Sequence, residues 1–266
     1  MNGMKAYSQQ QKSQRLGLIS HNNQNCLMKI VEYNSATDIV VEFQDFNKAK
    51  VHTRWDHFTE GSVKNPYFKH IYGIACAGSK VDISQSKREY QTWTDMLRRC
   101  YDNNYHSYKP TYIRCEVCEE WTNYENFYDW ITHQENYNKW AADTTFHLDK
   151  DIRVKHNKVY SPETCCLVPH NVNTLFIKAD NKRGLYPIGV SEHYKNSGTY
   201  MARCNNPLLH KTIQIGVYAS PQDAFVAYQQ YKENLIRTIA NEEYSKRNIT
   251  QLCYNAMMNY KVEITD

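Results

Sequence analysis

The chain lacks any long apolar run. Only 41% of its 266 residues are apolar and the mean hydropathy is −0.77, so no stretch approaches the roughly 18 apolar residues that a membrane helix needs. The first fifteen residues, MNGMKAYSQQQKSQR, also lack the apolar centre of a signal peptide. We therefore expect a soluble protein that stays in the cytoplasm and has no membrane partner.

Glycine is scarce, and the cysteines are odd in number. Nine glycines stand beside 22 tyrosines, an aromatic content that favours folded modules over disorder. Nine cysteines are scattered from Cys26 to Cys253 and cannot all pair with one another. This usage indicates free thiols or a metal site in a reducing compartment, and it argues against a disulfide framework.

A strong charge of one sign is also absent. The net charge of +4 neither requires nor excludes a nucleic-acid partner. Along the chain, however, residues 1–80 carry a net +4, residues 81–178 carry −2 and residues 179–260 carry +3. Ordinary surface variation produces such a pattern. Two modules that contact a polyanion, on either side of a segment that needs carboxylates for a metal, also produce it.

The first two thirds of the chain predict a β-module, then helices, then a strand–loop–strand–helix sequence. Residues 28–43 predict two strands joined at Asn34-Ser35, and the alternation over 51–58 extends them into a small β-meander. A linker over 70–86 follows. Helical spacing predicts one helix over 90–100 and a second over 124–131. The next elements are then a strand, a second strand and a helix, at 146–152, 165–169 and 170–181.

The last third predicts three strands and one long helix. The strands LYPIGVSEHY, GTYMARCNN and KTIQIGVY are separated by turn residues. The helix begins with Ser220 as its N-cap, Pro221 at the first helical position and Asp223 three residues after the cap.

Three segments of the chain resemble parts of one known family of proteins. Residues 184–246 resemble an AP2/ERF-type DNA-binding domain of phage and mobile-element proteins, through Gly189-Val190, Tyr200-Met201-Ala202, Ile215-Gly216-Val217-Tyr218, Ser220-Pro221-Gln222-Asp223-Ala224 and Ala227-Tyr228. Residues 89–178 resemble the HNH-like segment of phage homing-endonuclease-like proteins, through EYQTWTDMLRRCY, YIRCEVCEEW, NFYDW, LDKD, NKVYSPETC and VNTLF. Residues 28–66 are similar to the small β-module at the start of such proteins.

The resemblance implies an α+β protein with a small N-terminal β-module, a central HNH-like ββα-metal domain with a helical lead-in, and a C-terminal AP2-like three-stranded sheet with a helix. The corresponding parts are a polar segment (1–27), the β-module and linker (28–80), the HNH-like domain (81–181), the AP2-like domain (182–247) and a tail (248–266).

An HNH site implies a divalent ion, Mg²⁺ or Mn²⁺, held by a strand carboxylate and a helix ligand. Asp149 matches the carboxylate, and Asn171 or Asn173 the helix ligand. Lys150 stands where active members of the family carry a histidine, so the usual general base is missing.

Other residues near Asp149 can replace that base. In a strand, His147 and Asp151 share the face of Asp149, and His147 is then a displaced base; His156 in the loop is a second candidate. The alternative is that both histidines are surface or capping residues, while Asp149 and Asp151 merely pair with nearby Lys and Arg.

Cysteine spacing allows a zinc site. Cys115 and Cys118, separated by two residues, and the later pair Cys165 and Cys166 supply four thiols for Zn²⁺. The second pair is adjacent in sequence, which is poor geometry for two ligands. Cys118 and Cys165 are otherwise small buried apolar residues.

Alternation in the C-terminal strands predicts which side chains face away from the long helix. Arg203, Asn205 and Gln214 are of types that contact base edges directionally, while the alternative is a solvated sheet face. The outer face and its phosphate-contacting strand ends comprise Ser191, His193, Met201, Arg203, Asn205, Thr212 and Gln214, with Lys195 and Lys211. Tyr200, Ile213 and Ile215 are assigned to the core beneath.

The resemblance thus implies a phage-type protein that binds double-stranded DNA and nicks or cleaves it with a divalent metal. The main alternative keeps the HNH fold without cleavage, as a DNA- or protein-binding regulator or as an inhibitor of a host nuclease or defence system. In that case a host protein is the partner. A protein-binding role for the whole assembly is a third alternative.

Overall fold

A computed structural model describes residues 10–176 and 185–264. The chain divides into two compact units. The first comprises residues up to Asp102 together with Glu119–Asp129, and the second comprises Asn103–Cys118 with the chain from Trp130 onward. The predicted segment 81–181 contributes to both units, and the predicted domain boundaries remain predictions. No helix in the described ranges is long and apolar enough to cross a membrane.

The first unit begins with a helix over residues 10–15 (α1) and a four-stranded antiparallel sheet in the order β1-β2-β3-β4. Its strands are Ile19–His21 (β1), Leu27–Ser35 (β2), Asp38–Phe43 (β3) and Lys50–Thr53 (β4). Met28 and Ile30 of β2 and Ile39 and Val41 of β3 form the core of this sheet with Phe43 and Phe58. Val40 of β3 is buried as well, so burial does not alternate along that strand.

Two details of the predicted meander are wrong. The chain turns at residues 36–37, two residues later than expected, because β2 continues through Ser35. The predicted strand over 51–58 also stops at Thr53, since Trp55–Thr59 is a helix (α2) that buries Phe58. The pattern over residues 55–58 does not distinguish a strand from a helix, because residues three apart, such as Trp55 and Phe58, also share one face of a helix.

The rest of the first unit is helical and aromatic. Helix α3 (Lys87–Tyr101) buries Trp93, Met96 and Leu97 at helical spacing, which confirms the predicted helix. The indole of Trp93 donates a 2.7 Å hydrogen bond to the carbonyl of Trp121. That carbonyl belongs to a 3-10 helix, Glu120–Thr122, which is followed by helix α5 (Tyr124–Thr132), the second predicted helix. The last turn of α5, from Trp130, belongs to the second unit.

The second unit contains a β-hairpin followed by a short helix. Strand β6 (Phe146–Asp149) pairs antiparallel with β8 (Cys166–Pro169), and helix α7 (His170–Asn173) follows directly. A 3-10 turn, Thr174–Phe176, continues α7 as far as the described residues reach. The remaining part of the predicted helix, 177–181, lies outside them.

The C-terminal part of this unit is a three-stranded antiparallel sheet, in the order β11-β10-β9, and a long helix. The strands are Val190–Glu192 (β9), Tyr200–Asn206 (β10) and Lys211–Tyr218 (β11). Helix α8 (Pro221–Ser245) begins as predicted, since the Ser220 side chain accepts a hydrogen bond from the backbone N–H of Asp223. Gly189 has φ +75°, and a Cβ there would lie 2.1 Å from the Tyr228 ring of α8, so a glycine is needed where sheet and helix meet.

One hydrophobic core joins β8 and α7 to the C-terminal sheet and helices. Cys166, Val168 and Val172 from the hairpin and α7 share it with residues of β10 and α8, and with helix α9 (Gln251–Met258). The further elements of this unit are α4 (Asn103–Tyr108), Pro110–Tyr112, β5 (Glu116–Val117), α6 (Tyr137–Ala142) and β7 (Val159–Tyr160), which pairs in parallel with β5. The described fold mixes α and β structure, and this confirms the predicted α+β class at that level.

Candidate functional site

Two histidines meet where β6 faces helix α7. His147 lies on the same face of β6 as Asp149, because alternate residues of a strand share a face. His170 is the first residue of α7. The Nε2 atom of His147 lies 3.3 Å from Nδ1 of His170. One of these two nitrogens must therefore lack a proton and accept the hydrogen bond, so the pair contains a proton acceptor.

Asp149 ends strand β6 by binding the backbone that follows it. Its Oδ1 accepts hydrogen bonds of 2.8 Å from the N–H of Asp151 and 2.9 Å from the N–H of Ile152. Oδ2 makes no hydrogen bond within the described ranges. Burial and then the negative charge of Asp151 raise the pKa of Asp149 to about 6, against the lowering effect of these backbone bonds. One carboxylate oxygen thus remains for an external ligand.

Lys150 and Asp151 form an internal ion pair. The ammonium of Lys150 lies 2.7 and 2.8 Å from the two carboxylate oxygens of Asp151 and donates to the carbonyl of Asn157 at 3.1 Å. Burial lowers the pKa of Lys150, but the charge and hydrogen bonds of Asp151 outweigh this and leave it raised. The strand ends at Asp149, so the prediction that Asp151 shares the strand face of His147 and Asp149 is wrong.

The two candidate helix ligands face different surroundings. The side chain of Asn171 donates a 2.9 Å hydrogen bond to Glu243 of α8. Asn173 lies three residues after His170, so it shares that face of α7. It makes no side-chain hydrogen bond among the described residues. Of the two predicted ligands, Asn173 is therefore the one on the side of His147.

His156 lies in the loop between β6 and β7, with φ +60°. Its Nε2 is 3.4 Å from a carboxylate oxygen of Glu263 near the end of the described chain. The structure therefore pairs this second base candidate with Glu263. The His147–His170 pair lies where the hairpin meets α7, but within the described ranges Asp149 does not join it in a group that could hold a metal ion.

The four candidate zinc ligands do not form a cluster. Within residues 10–176 and 185–264, no three His, Cys, Asp or Glu side chains are grouped in a way that could hold a metal ion. The Sγ of Cys166 lies 3.8 Å from Sγ of Cys253 in the core. Burial raises the pKa of the Cys165 and Cys115 thiols, which keeps them protonated. Cys118 begins the segment after β5 and is partly buried.

Mg²⁺ needs few protein ligands, so the oxygen atoms around Asp149 can still be compared with the ligands that this ion prefers. Mg²⁺ commonly binds one or two carboxylates and keeps several waters. The Oδ2 of Asp149 and the amide oxygen of Asn173 are hard oxygen donors of this kind. The role of Asp149, Asn171 and Asn173 as metal ligands stays a prediction.

The outer face of the C-terminal sheet carries the predicted polar residues side by side. Arg203 is paired in register with Gln214, and Asn205 with Thr212, and all four are exposed. The inward neighbours Ala202, Cys204 and Asn206 are buried beneath α8. A bulge at Ile215 shifts the register of β11, so that Val217, opposite Met201, also faces outward.

The remaining predicted residues lie at the edges of this face. Ser191 is paired with Met201, and its Oγ accepts a 2.8 Å hydrogen bond from the guanidinium of Arg203. His193 lies just after β9 with its ring 4.0 Å from that of Tyr194. Lys195 is exposed in the β9–β10 connection, and Lys211 is exposed at the start of β11. Tyr200 and Ile215 pack against the core as predicted, partly buried.

Comparison with known proteins adds no assignment to this geometry. No family model, curated protein or solved structure matches the chain. The residues themselves are therefore the basis for a functional proposal. Among these, His170 was not predicted as a site residue. The sequence did contain a signal for it, because His170 is the first residue of the helix that directly follows β8. In a ββα arrangement the start of that helix lies close to the first strand.

Proposed function

We propose that this protein binds double-stranded DNA through the outer face of its C-terminal sheet. The observation that carries the proposal is the exposed set Arg203, Asn205, Thr212 and Gln214, which lies in register on two adjacent strands. A two-stranded β-ribbon fits the major groove of B-DNA. Arginine can bond guanine there with two hydrogen bonds, and asparagine or glutamine can do the same with adenine.

The geometry orients the arginine before DNA arrives. Ser191 accepts a bond from one terminal nitrogen of Arg203, which leaves Nε and the other terminal nitrogen for a base edge. Lys195 and Lys211, at the strand ends, would contact phosphates. Such contacts fix the position of the protein on the duplex without determining its sequence preference.

A pair of variants tests the proposal. The preferred duplex is first selected from a random pool, and affinities for it and for random DNA are then measured. Arg203→Ala should cost roughly 1–3 kcal/mol on the selected duplex and little on random DNA, because a base contact is lost. Lys211→Ala, the control, should weaken both about equally. A wild-type affinity that does not change with salt would contradict DNA binding altogether.

A second candidate function is metal-dependent nicking of the bound DNA, favoured by the contact between His147 and His170 at the strand that also carries Asp149. The imidazole that lacks a proton would accept one from the attacking water. Asp149 and Asn173 would hold the divalent ion, whose chemistry is to stabilise charge on the phosphorane and the leaving oxygen.

Incubation of supercoiled plasmid with Mg²⁺ or Mn²⁺, with and without chelator, separates the two classes of function. Under the nicking hypothesis, His147→Ala should slow nicking by roughly 10²–10⁴-fold, the usual share of a general base. DNA binding should be unchanged. A chain that binds DNA but nicks it with neither metal favours the alternative, a binding regulator or an inhibitor with a host protein partner.

A further inference from the structure

The first unit contains a cavity of about 520 Å³ whose lining is basic. Strand β4 supplies Lys50 and His52, and the segment after the sheet supplies Lys64 and His70. The lining contains no carboxylate. Four basic or protonatable groups around one concave surface, with no acid among them, are an arrangement that attracts anions.

The two ammonium groups are not neutralised within the described chain. Neither Lys50 nor Lys64 makes an ion pair or a side-chain hydrogen bond there. Lys50 is paired in register with Glu42, but that carboxylate accepts a 3.2 Å hydrogen bond from Gln44. Of the two histidines, His52 lies 3.9 Å from Asp38. The positive charge of the lysines is therefore directed to solvent and to the cavity.

The polar floor of the cavity is rigid. Asn65 is 3% exposed. Its amide nitrogen donates a 2.7 Å bond to Asp45, and its amide oxygen accepts one of 3.0 Å from the N–H of Tyr67. Its backbone N–H is bound by the side chain of Gln24 at 2.9 Å. A ligand would meet a preformed surface, which reduces the entropic cost of binding.

An exposed aromatic ring lies on the loop that is tied to this floor. Phe46 is 99% exposed and follows Asp45, the residue that binds Asn65. Apolar surface on a solvated loop has no role in the sheet core. A phosphate ion has no group that an apolar ring can contact, whereas a nucleic acid carries sugars next to its phosphates. This combination favours a nucleic acid over a free phosphate as the ligand.

We propose that the cavity lined by Lys50, His52, Lys64 and His70 binds the phosphodiester backbone of DNA, as a second contact surface in addition to the C-terminal sheet. The inference rests on the proposed DNA binding for the identity of the ligand. It goes beyond that proposal, because the cavity belongs to the other unit and contributes phosphate contacts that carry no sequence preference.

The test compares two double variants of the full chain. Lys50→Gln/Lys64→Gln removes the cavity charges, and Lys12→Gln/Lys87→Gln removes two exposed lysines of the same unit that do not line it. Binding of a random-sequence duplex is followed by fluorescence anisotropy from about 50 to 300 mM salt. Each phosphate contact contributes about 0.9 to the slope of log affinity against log salt. For the cavity variant, the plot of log affinity against log salt should therefore be less steep by about 2, and the variant should bind at least several-fold more weakly. The control variant should keep the wild-type slope.

The outcomes separate this inference from the proposed function. If the cavity variant keeps the wild-type slope while Arg203→Ala still loses its sequence preference, the cavity proposal is wrong and the sheet proposal stands. If only the cavity variant weakens binding, the cavity is supported and the sheet is not. A wild-type chain that binds no duplex at the lowest salt overturns both. Displacement of the duplex by micromolar pyrophosphate would make the site one for free phosphates and overturn the choice of ligand.

Discussion

Lys150 occupies the position next to Asp149 where the HNH resemblance expects a histidine, and its ammonium has an internal role. It bonds both carboxylate oxygens of Asp151 and the carbonyl of Asn157. These bonds close the loop that follows β6. A buried ammonium whose pKa is raised cannot accept a proton from water near neutral pH. A general base, if the protein cleaves DNA, must therefore be another residue, and the His147–His170 pair contains a proton acceptor.

Asp149 should make the folded state less stable as the pH rises. Its pKa is about 6 in the folded chain, against 3.8 for an ordinary aspartate side chain. Between these values the folded state binds the extra proton, so the free energy of unfolding falls with increasing pH. Asn keeps an oxygen that can accept the two backbone bonds but cannot ionise. Asp149→Asn should therefore gain about 1–3 kcal/mol relative to wild type between pH 4 and pH 7, as measured by urea denaturation at each pH.

Asp56 provides a control of opposite sign. A hydrogen bond from Arg54 lowers its pKa, and the ion pair distance is 2.9 Å. The stabilisation from a lowered carboxyl pKa is present above the unfolded value and is lost as the pH falls through the folded one. The Asp56→Asn variant should thus become less stable than wild type as the pH rises toward neutral. Equal pH profiles for Asp149→Asn and wild type would show that Asp149 is not held in a proton-retaining environment.

At the scale of elements, the two faces of helix α7 separate a structural asparagine from a candidate ligand. Asn171→Ala removes a donor from Glu243, which is 3% exposed. Loss of that hydrogen bond should cost roughly 1–3 kcal/mol of stability and leave Mg²⁺ or Mn²⁺ affinity unchanged. Under the nicking hypothesis, Asn173→Ala should weaken the binding of Mg²⁺ or Mn²⁺ and leave the stability of the fold unchanged. Thermal unfolding and metal titration of both variants check this. Unchanged metal affinity in Asn173→Ala would remove Asn173 from the ligand set.

Helices and strands whose ends are set by neighbouring residues could be predicted from the sequence. Contacts between residues far apart in the sequence could not. Helix α8 was fixed by Ser220, Pro221 and Asp223, which act within one turn. The end of β6 was missed because Asp149 captures the backbone two and three residues on, a local competition that alternation does not reveal. The role of His170 depends on His147, 23 residues earlier, and only the fold brings them together.

The outer sheet face was predictable for a different reason. Alternation alone places Arg203 and Asn205 on one side of β10, and the structure has both exposed. The bulge at Ile215 was not predictable from alternation, because an inserted residue interrupts the period of two. The cation-lined cavity of the first unit could not be predicted from the sequence either, because the end of a strand and a helix lie between Lys50 and Lys64 along the chain.

At the scale of the whole molecule, the second unit depends on its C-terminal residues for its core. Val168 and Val172, next to the candidate site, are fully buried with Ile236 and Ile239 of α8 and Met257 of α9. The core of the N-terminal sheet, by contrast, is made of residues between Met28 and Val63. Removing residues 182–266 therefore changes more than the proposed DNA contacts.

A fragment of residues 1–181 should keep the N-terminal sheet and lose the hairpin that carries Asp149. Without α8 and α9, Val168 and Val172 would be exposed to water, and a two-stranded hairpin is marginal on its own. Hydrogen exchange measures this directly, since amide protection reports local stability. Protection should persist in β2 and β3 and disappear in β6 and β8. A fragment that still protects the hairpin would show that the site folds independently of α8, and loss of DNA binding on truncation could then be assigned to the sheet itself.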